Sequence, residues 1–304
     1  MNNLIDLVAL RPLIKGAGLS GDIENFEAFY DDLVTTGRNP QLVNQIEARL
    51  REYFAGMSLP DEATIYDYLI LTLRKKDLIA TFNWDPFLAQ AYRRNMRITE
   101  PPHIAFLHGN VAIGVCTEHR SVGFSHQSCG ICGTRLSPSK LLYPVKHKDY
   151  NSDLFIKSEW DVLRSCLEDA YYVTIFGYSA PTTDVEAKQL MLDVWKKNPT
   201  LPFAEVNIVD IKGEEKLEKT WEDFLYKRHY GIYDDIRNTI LFRHPRRTCD
   251  AFAMATLQCA PWEDNPIPLI EDLAALQAWV APLVAEEQRE RFSGAPCSEI
   301  AIKS

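Results

Sequence analysis

Ile79-Ala80-Thr81-Phe82-Asn83-Trp84-Asp85-Pro86 reads as a buried strand that stops abruptly in polar residues. An apolar run ending in Asn-x-Asp delivers an amide and a carboxylate to the carboxyl edge of a sheet, where open α/β sheets bind ligands. Some twenty residues on, Ile104-Ala105-Phe106-Leu107 delivers His108 in the same manner, followed by Gly109 and Asn110. Two strands offering an amide, a carboxylate and an imidazole mark Asn83, Asp85 and His108 as candidate reaction-site residues. Each also has a structural reading. Asn83 and Asp85 before Pro86 have the pattern of a helix cap, and His108 that of a hydrogen-bonded core histidine beside a close approach at Gly109.

Around this stretch the chain alternates short β-rich runs with helical spacing. Leu78–Phe82, Ile104–Leu107, Tyr171–Phe176, Glu205–Val209 and Thr239–Phe242 read as strands. Phe87–Arg94, Ser158–Ala170, Val185–Lys196 and Lys216–Tyr226 read as the helices between them. That alternation implies right-handed crossovers and a doubly wound, mostly parallel, Rossmann-like α/β sheet. The expected division is a helical segment at 1–76, the α/β domain at 77–260 and a C-terminal helix and tail at 261–304, with one helix near Pro268–Glu290.

Upstream, Ile23, Phe26, Phe29, Tyr30 and Leu33 fall on one helical face that Gly37 ends. Asn39-Pro40 supplies a cap and a first-turn proline for a second helix carrying Leu42, Ile46, Leu50 and Phe54. Ser58-Leu59-Pro60-Asp61-Glu62 opens a third, with Ile65, Leu69 and Leu73 as its stripe.

Residues 111–157 interrupt the alternation with glycine, proline and cysteine, as an inserted module would. Cys116-Thr117-Glu118-His119 and Cys129-Gly130-Ile131-Cys132 form two ligand pairs, each separated by two residues. Pairs at that spacing place both donors on one ion, which gives tetrahedral zinc in a closed, structural site. Gly130 and Gly133 would permit the positive φ of tight knuckles, and His126 is a rival for the histidine position. The remaining cysteines, Cys166, Cys249, Cys259 and Cys297, scatter, which suits reduced thiols better than a disulfide framework.

Net charge is −9, with 46% hydrophobic and 25% charged residues. An acidic chain has no general attraction for phosphate backbones, so nucleic-acid binding is not expected. Arg243-His244-Pro245-Arg246-Arg247 is the one dense basic run and reads as a solvated loop. No apolar run approaches the roughly 20 residues that span a bilayer, and Met1–Asp6 lacks the layout of a signal peptide. A cytoplasmic protein is the expectation, with a protein partner or homo-oligomer left open.

Asn-x-Asp after a strand, His-Gly some twenty residues later and then an inserted zinc ribbon occur in that order in sirtuins. Over residues 77–212 the chain resembles the Sir2 superfamily, especially divergent bacterial Sir2-like proteins whose strand ends in Phe-Asn-x-Asp. Tyr172–Ser179 is similar to that fold's strand and Gly-x-Ser turn, and Glu205–Asp210 to the strand ending beside the adenosine. The resemblance implies an NAD-binding domain that cleaves the bond between nicotinamide and ribose. It implies that Asn83 and His108 are catalytic and that Asp85, Gly177, Ser179 and Asp210 contact NAD, with Cys116, His119, Cys129 and Cys132 on structural zinc. These residue types suit the chemistry. An oriented amide or a carboxylate stabilises oxocarbenium character, imidazole accepts a proton near neutral pH, and a strand-end carboxylate accepts ribose hydroxyls.

The chain departs from the pattern in two places. Gly16-Ala17-Gly18-Leu19-Ser20 matches the family's phosphate loop, but Arg11-Pro12-Leu13-Ile14-Lys15 before it makes a poor strand, so a linker is the better reading. The Ile-Pro-Asp-Phe-Arg and Phe-Gly-Glu segments of deacylating sirtuins are missing, and Tyr143-Pro144-Val145-Lys146-His147 occupies the second region. The expected function is therefore NAD+ hydrolysis to nicotinamide and ADP-ribose, as in bacterial antiphage defence. An NAD-dependent deacylase or ADP-ribosyltransferase is the alternative enzyme, and a silent nucleotide-sensing or scaffold subunit the alternative of another class.

Overall fold

A computed structural model describes residues 4–180, 184–199, 203–226, 229–256 and 264–292. Cys259 and Cys297 lie outside them.

The amphipathic helices of the first third form where their caps place them. Helices α1 (Leu4–Leu7) and α2 (Leu10–Gly16) precede α3 (Phe26–Thr36) and α4 (Pro40–Ala55). Asn25 and Asn39 each accept the amide three residues on, and Gly37 closes α3 at φ 60°. Their apolar faces, with Phe26, Leu42, Ile46 and Leu50 sealed, pack on Trp84, Val111 and Leu141. This helical layer therefore rests on the loops that carry Asn83 and His108. Helix α5 (Ile65–Thr72) starts later than its opening residues suggested, with Thr64 and Asp67 in a reciprocal capping box. It buries Tyr68, Ile70 and Leu71, and Ile65 of the expected stripe is exposed.

Strands β1 (Leu78–Thr81), β2 (His103–Phe106), β6 (Tyr172–Phe176), β7 (Glu205–Val209) and β8 (His229–Tyr233) are parallel within their ladders. Helices α6 (Phe87–Asn95), α7 (Leu154–Glu168), α8 (Val185–Trp195) and α9 (Glu214–Leu225) alternate with them. This is the expected α/β alternation, with one substitution of strand. Thr239–Phe242 is not a strand: Asp235 caps a 3-10 turn, Ile236–Asn238, and Thr239 then starts helix α10 (Ile240–Arg243). The Thr239 carbonyl accepts from both Phe242 and Arg243. A four-residue apolar run fits a buried helical turn as well as a strand. The fifth strand is β8, an edge strand whose exposed His229 and Tyr230 carry little apolar signal.

The parallel strands form two ladders, β2–β1 and β6–β7–β8. Leu107 donates to the Thr81 carbonyl and His103 to that of Asp77, so the odd residues of β1 turn their peptide groups toward β2. Leu78, Ala80 and Phe82 direct theirs to the other edge, which pairs with no strand of the described residues. On β6 the odd residues face β7, since Glu205 donates to Tyr171 and Gly177 to Val209. Tyr172, Thr174 and Phe176 thus face an open edge as well. Both ladders share one apolar core, and the Phe82 and Tyr178 rings stack at 4.3 Å just beyond the ends of β1 and β6. The carboxyl ends of the two ladders therefore lie together.

Helices α11 (Thr248–Thr256) and α12 (Leu273–Phe292) close the chain. Leu276, Val280 and Val284 of α12 join Tyr68, Leu71, Val209 and Phe242 in a further core. The basic run is not a solvated loop. Arg243 and His244 pair with Asp264, Arg247 with Asp250 and Glu286, and Arg246 is buried against Glu287. Its charges are thus neutralised within the fold. No helix of the described residues is long and apolar enough to cross a membrane.

Candidate active site and metal centre

The Cys-His module is a three-stranded antiparallel sheet, β3 (Ile113–Val115), β4 (Val122–Phe124) and β5 (Ser137–Pro138), in the order β4-β3-β5. Gly133 at φ 73° lets its amide reach back to the Cys129 carbonyl at 2.9 Å, tightening the second knuckle; Gly130 has no positive φ. The donor atoms of Cys116, His119, Cys129 and Cys132 lie within 4.8 Å of one another. Cys116 Sγ stands 3.8 Å from Cys132 Sγ and 3.6 Å from His119 Nδ1, and Cys129 Sγ stands 3.9 Å from that nitrogen. With Zn–S about 2.3 Å and Zn–N about 2.0 Å, a tetrahedron has S–S edges of about 3.8 Å and S–N edges of about 3.6 Å. The donor set therefore fits zinc. The Ser121 hydroxyl against its sulfur, with amides of Cys132 and Ile131, draws the Cys129 thiol down to about 6, toward the thiolate a metal needs. His126 is exposed and stacks on Phe124, away from the cluster.

Asn83 and His108 sit two residues beyond the Thr81–Phe106 pair, at matched positions of adjacent parallel strands. Their surroundings differ. The Asn83 backbone is pinned by Thr81 Oγ1 (3.1 Å) and Asn110 Nδ2 (3.4 Å), while the residue is exposed. His108 is 5% exposed; its ring meets Phe82 edge-on at 4.8 Å and stacks with Tyr150 at 6.1 Å. No hydrogen bond joins the side chains of Asn83 and His108. The structure brings the two to one sheet edge, one open and the other enclosed.

Gly109 at φ 77° accounts for the close approach: a Cβ there would meet the Lys140 carbonyl oxygen at 1.8 Å. The chain leaving the zinc module passes over this point, and Leu142 donates to the His108 carbonyl at 2.9 Å. Asp85 accepts the Phe87 amide at 3.1 Å in a turn just before α6, whose N-cap position is held by Pro86, and burial raises its carboxyl above the ordinary value. Gly177 turns at φ 63° with open space where a Cβ would stand, and Ser179 is exposed nearby. Asp210 accepts the Lys212 amide and faces its ammonium at 3.6 Å. Gly16-Ala17-Gly18 closes α2 as a C-terminal cap, with Gly18 at φ 78°. It follows a helix, not a strand, and is no phosphate loop of the strand-to-helix kind.

Sequence reasoning missed the residues that surround His108. Its Nε2 makes no hydrogen bond and lies 3.9 Å from Asp184 Oδ1. That carboxylate accepts Lys148 Nζ at 2.7 Å and the Tyr178 hydroxyl at 3.3 Å. The Tyr150 hydroxyl is likewise sealed without a partner. Burial draws the His108 imidazole down to about 4, with Asp184 pulling upward and Lys148 downward, so the ring is neutral at pH 7. Asn110, fully buried, ties the site together. Its amide donates to the Asp85 carbonyl at 2.6 Å, and its backbone shares hydrogen bonds with Ser139. Nothing local in the sequence marks Lys148, Tyr150 or Asp184.

Glu159 of α7 stops the outer edge of β2, accepting the Phe106 amide at 2.7 Å. Burial raises its carboxyl from 4.5 to about 7, against that hydrogen bond. The folded protein thus holds this proton more tightly, and stability falls as pH rises from 4.5 to about 7. His108, lowered from 6.5 to about 4, acts oppositely, losing stability as pH falls through that window. Glu159→Gln keeps an acceptor for Phe106 without the buried charge. Urea denaturation should show it about 3 kcal/mol more stable than wild type at pH 8, the difference fading as pH falls to about 4.

The chain is similar to sirtuin structures. It aligns with the crystal structure of a Sir2 homolog in complex with NAD at 12% identity, over 75% of this chain and 77% of that one, with a TM-score of 0.36. It aligns with a Sir2 complex holding the inhibitor EX-527, 2′-O-acetyl-ADP-ribose and a deacetylated p53 peptide at 14% identity, over 77% and 93%, with a TM-score of 0.40. No family model and no curated protein sequence matches the chain.

Proposed function

We propose that this protein is a Sir2-like NAD+ glycohydrolase, with Asn83 and His108 catalytic and with Asp85, Gly177, Ser179 and Asp210 along the dinucleotide. The observation that carries the reading is the pairing at one sheet edge of an open amide, Asn83, with a buried imidazole kept neutral, His108. Water attacks C1′ of the nicotinamide ribose while the glycosidic C–N bond breaks. The bonding electrons return to the nicotinamide ring nitrogen, and the water proton passes to His108. Asn83 orients the water and the developing oxocarbenium ion. Zinc on Cys116, His119, Cys129 and Cys132 braces the module whose exit segment covers Gly109. An effector role in bacterial antiphage defence suits such an activity.

A second reading rests on Gly16-Ala17-Gly18. Because it caps a helix, a nucleotide-sensing or scaffold subunit without turnover is the competing function. Nicotinamide release from NAD+, followed by chromatography, separates the two. Wild type should release it, and Asn83→Ala and His108→Ala should each be slower by about 100-fold or more. Wild-type release no faster than either variant, together with tight ADP-ribose binding by calorimetry, would establish the sensor instead.

A further inference from the structure

Asp184 occupies the position before α8, where an aspartate ordinarily accepts helix amides. Here its side chain caps nothing. It turns inward to 6% exposure and lies against Lys148, Tyr178 and His108. We propose that Asp184 is the positioning residue for His108, fixing the Nε2-protonated tautomer and balancing the imidazolium formed when the ring takes a proton. The assignment rests on the glycohydrolase reading, in which His108 receives that proton.

The argument starts from two incomplete contacts. At 3.9 Å the His108–Asp184 approach is too long for a hydrogen bond, and Nε2 has no other partner. Catalytic hydrogen bonds are often loose before substrate binds and tighten in the reacting complex. An enclosed imidazole with one nitrogen aimed at a carboxylate has the arrangement that would stabilise a transient cation. Lys148 shares the same oxygen, Oδ1, at 2.7 Å. The ammonium therefore opposes proton uptake by the ring, and the carboxylate favours it. Tyr150 from the exit segment and Tyr178 after β6 also face the network; Glu186 on α8 acts on Tyr150 from outside. Phe82 and Tyr150 supply the apolar walls.

The test combines nitrogen-15 NMR titration of His108 in the unliganded protein with the pH profile of NAD+ turnover. Asp184→Asn should lower the titration point of His108, shift the ring away from the Nε2-protonated tautomer and reduce kcat by about 10-fold or more with KM little changed. Lys148→Met should move the titration point upward, and Asp184→Glu should recover part of the lost kcat. Should Asp184→Asn leave Lys148 buried and the chain unfolded, the double variant Asp184→Asn with Lys148→Met removes both charges and still reports the tautomer. An unchanged tautomer and titration point in Asp184→Asn overturns the proposal. If the NMR coupling appears but wild type turns over no NAD+, the glycohydrolase reading falls while the Asp184–His108 pairing stands.

Discussion

Purified protein should contain one zinc ion per chain, and replacing Cys129 or Cys132 by serine should abolish it. The module has few apolar groups of its own: Leu136 with Cys116 and Cys129 forms its separate core. Two- and three-residue strands around so small a core do not hold by packing alone. Apparent binding free energies for structural zinc are about 10–16 kcal/mol near neutral pH, and that binding energy is folding energy. Chelation should therefore melt β3–β5 while helices α3, α4 and α12 persist, giving a partial loss of circular dichroism and a lower unfolding temperature. Elemental analysis of the reduced protein is the direct check, and an absence of stoichiometric metal would contradict the assignment. Melting should also reach His108, because Lys140 and Leu142 at the module's exit cover Gly109 and bond the His108 carbonyl.

The second large effect is expected at Glu287. On α12 the residues Leu276, Val280, Val284 and Glu287 form one buried stripe, so the carboxylate continues an apolar face. Arg246 meets it there at 3% exposure, and it also donates to the carbonyls of Leu71 and Leu73. Glu287→Ala leaves that guanidinium buried without its counter-ion, beside Arg74. Removing one partner of such a pair costs about 3–5 kcal/mol, which is a fall in Tm of about 10 °C for a chain of this size. Exchanging Arg246 and Glu287 together for Met and Leu should be far milder, since the stranded charge causes most of the loss. A thermal unfolding series over wild type, Glu287→Ala and the double variant measures this, and equal losses in both variants would refute the account.

Much of the fold was legible because the apolar runs in the middle of the chain are short, β-rich and separated by clear helical stripes. Leu78–Thr81, Tyr172–Phe176 and Glu205–Val209 were found nearly to the residue for that reason. Thr239–Phe242 was misread because four apolar residues carry no period, and the hydrogen bonds that decide between helix and strand come from Asp235 and Thr239. The basic run misled for another cause: its counter-charges lie at Asp250, Asp264, Glu286 and Glu287, and sequence distance hides such pairing. At the candidate site, Asn83, His108 and the zinc ligands announce themselves by spacing within local motifs. Asp184, with Lys148 and Tyr178 bound to it, meets His108 only after separate loops converge, and no local pattern encodes that convergence.

The division of the parallel strands into two ladders bears on how the site can be tuned. Backbone hydrogen bonds resist sliding within a ladder, but none of those described crosses from β1 to β6. The two halves touch near the site through Phe82 on Tyr178 and through His108 beside Asp184. Burial is the main influence on the His108 ring, and Asp184 across the seam opposes it. The separation of His108 from Asp184 is therefore set by packing across the seam between the two ladders and not by a backbone ladder.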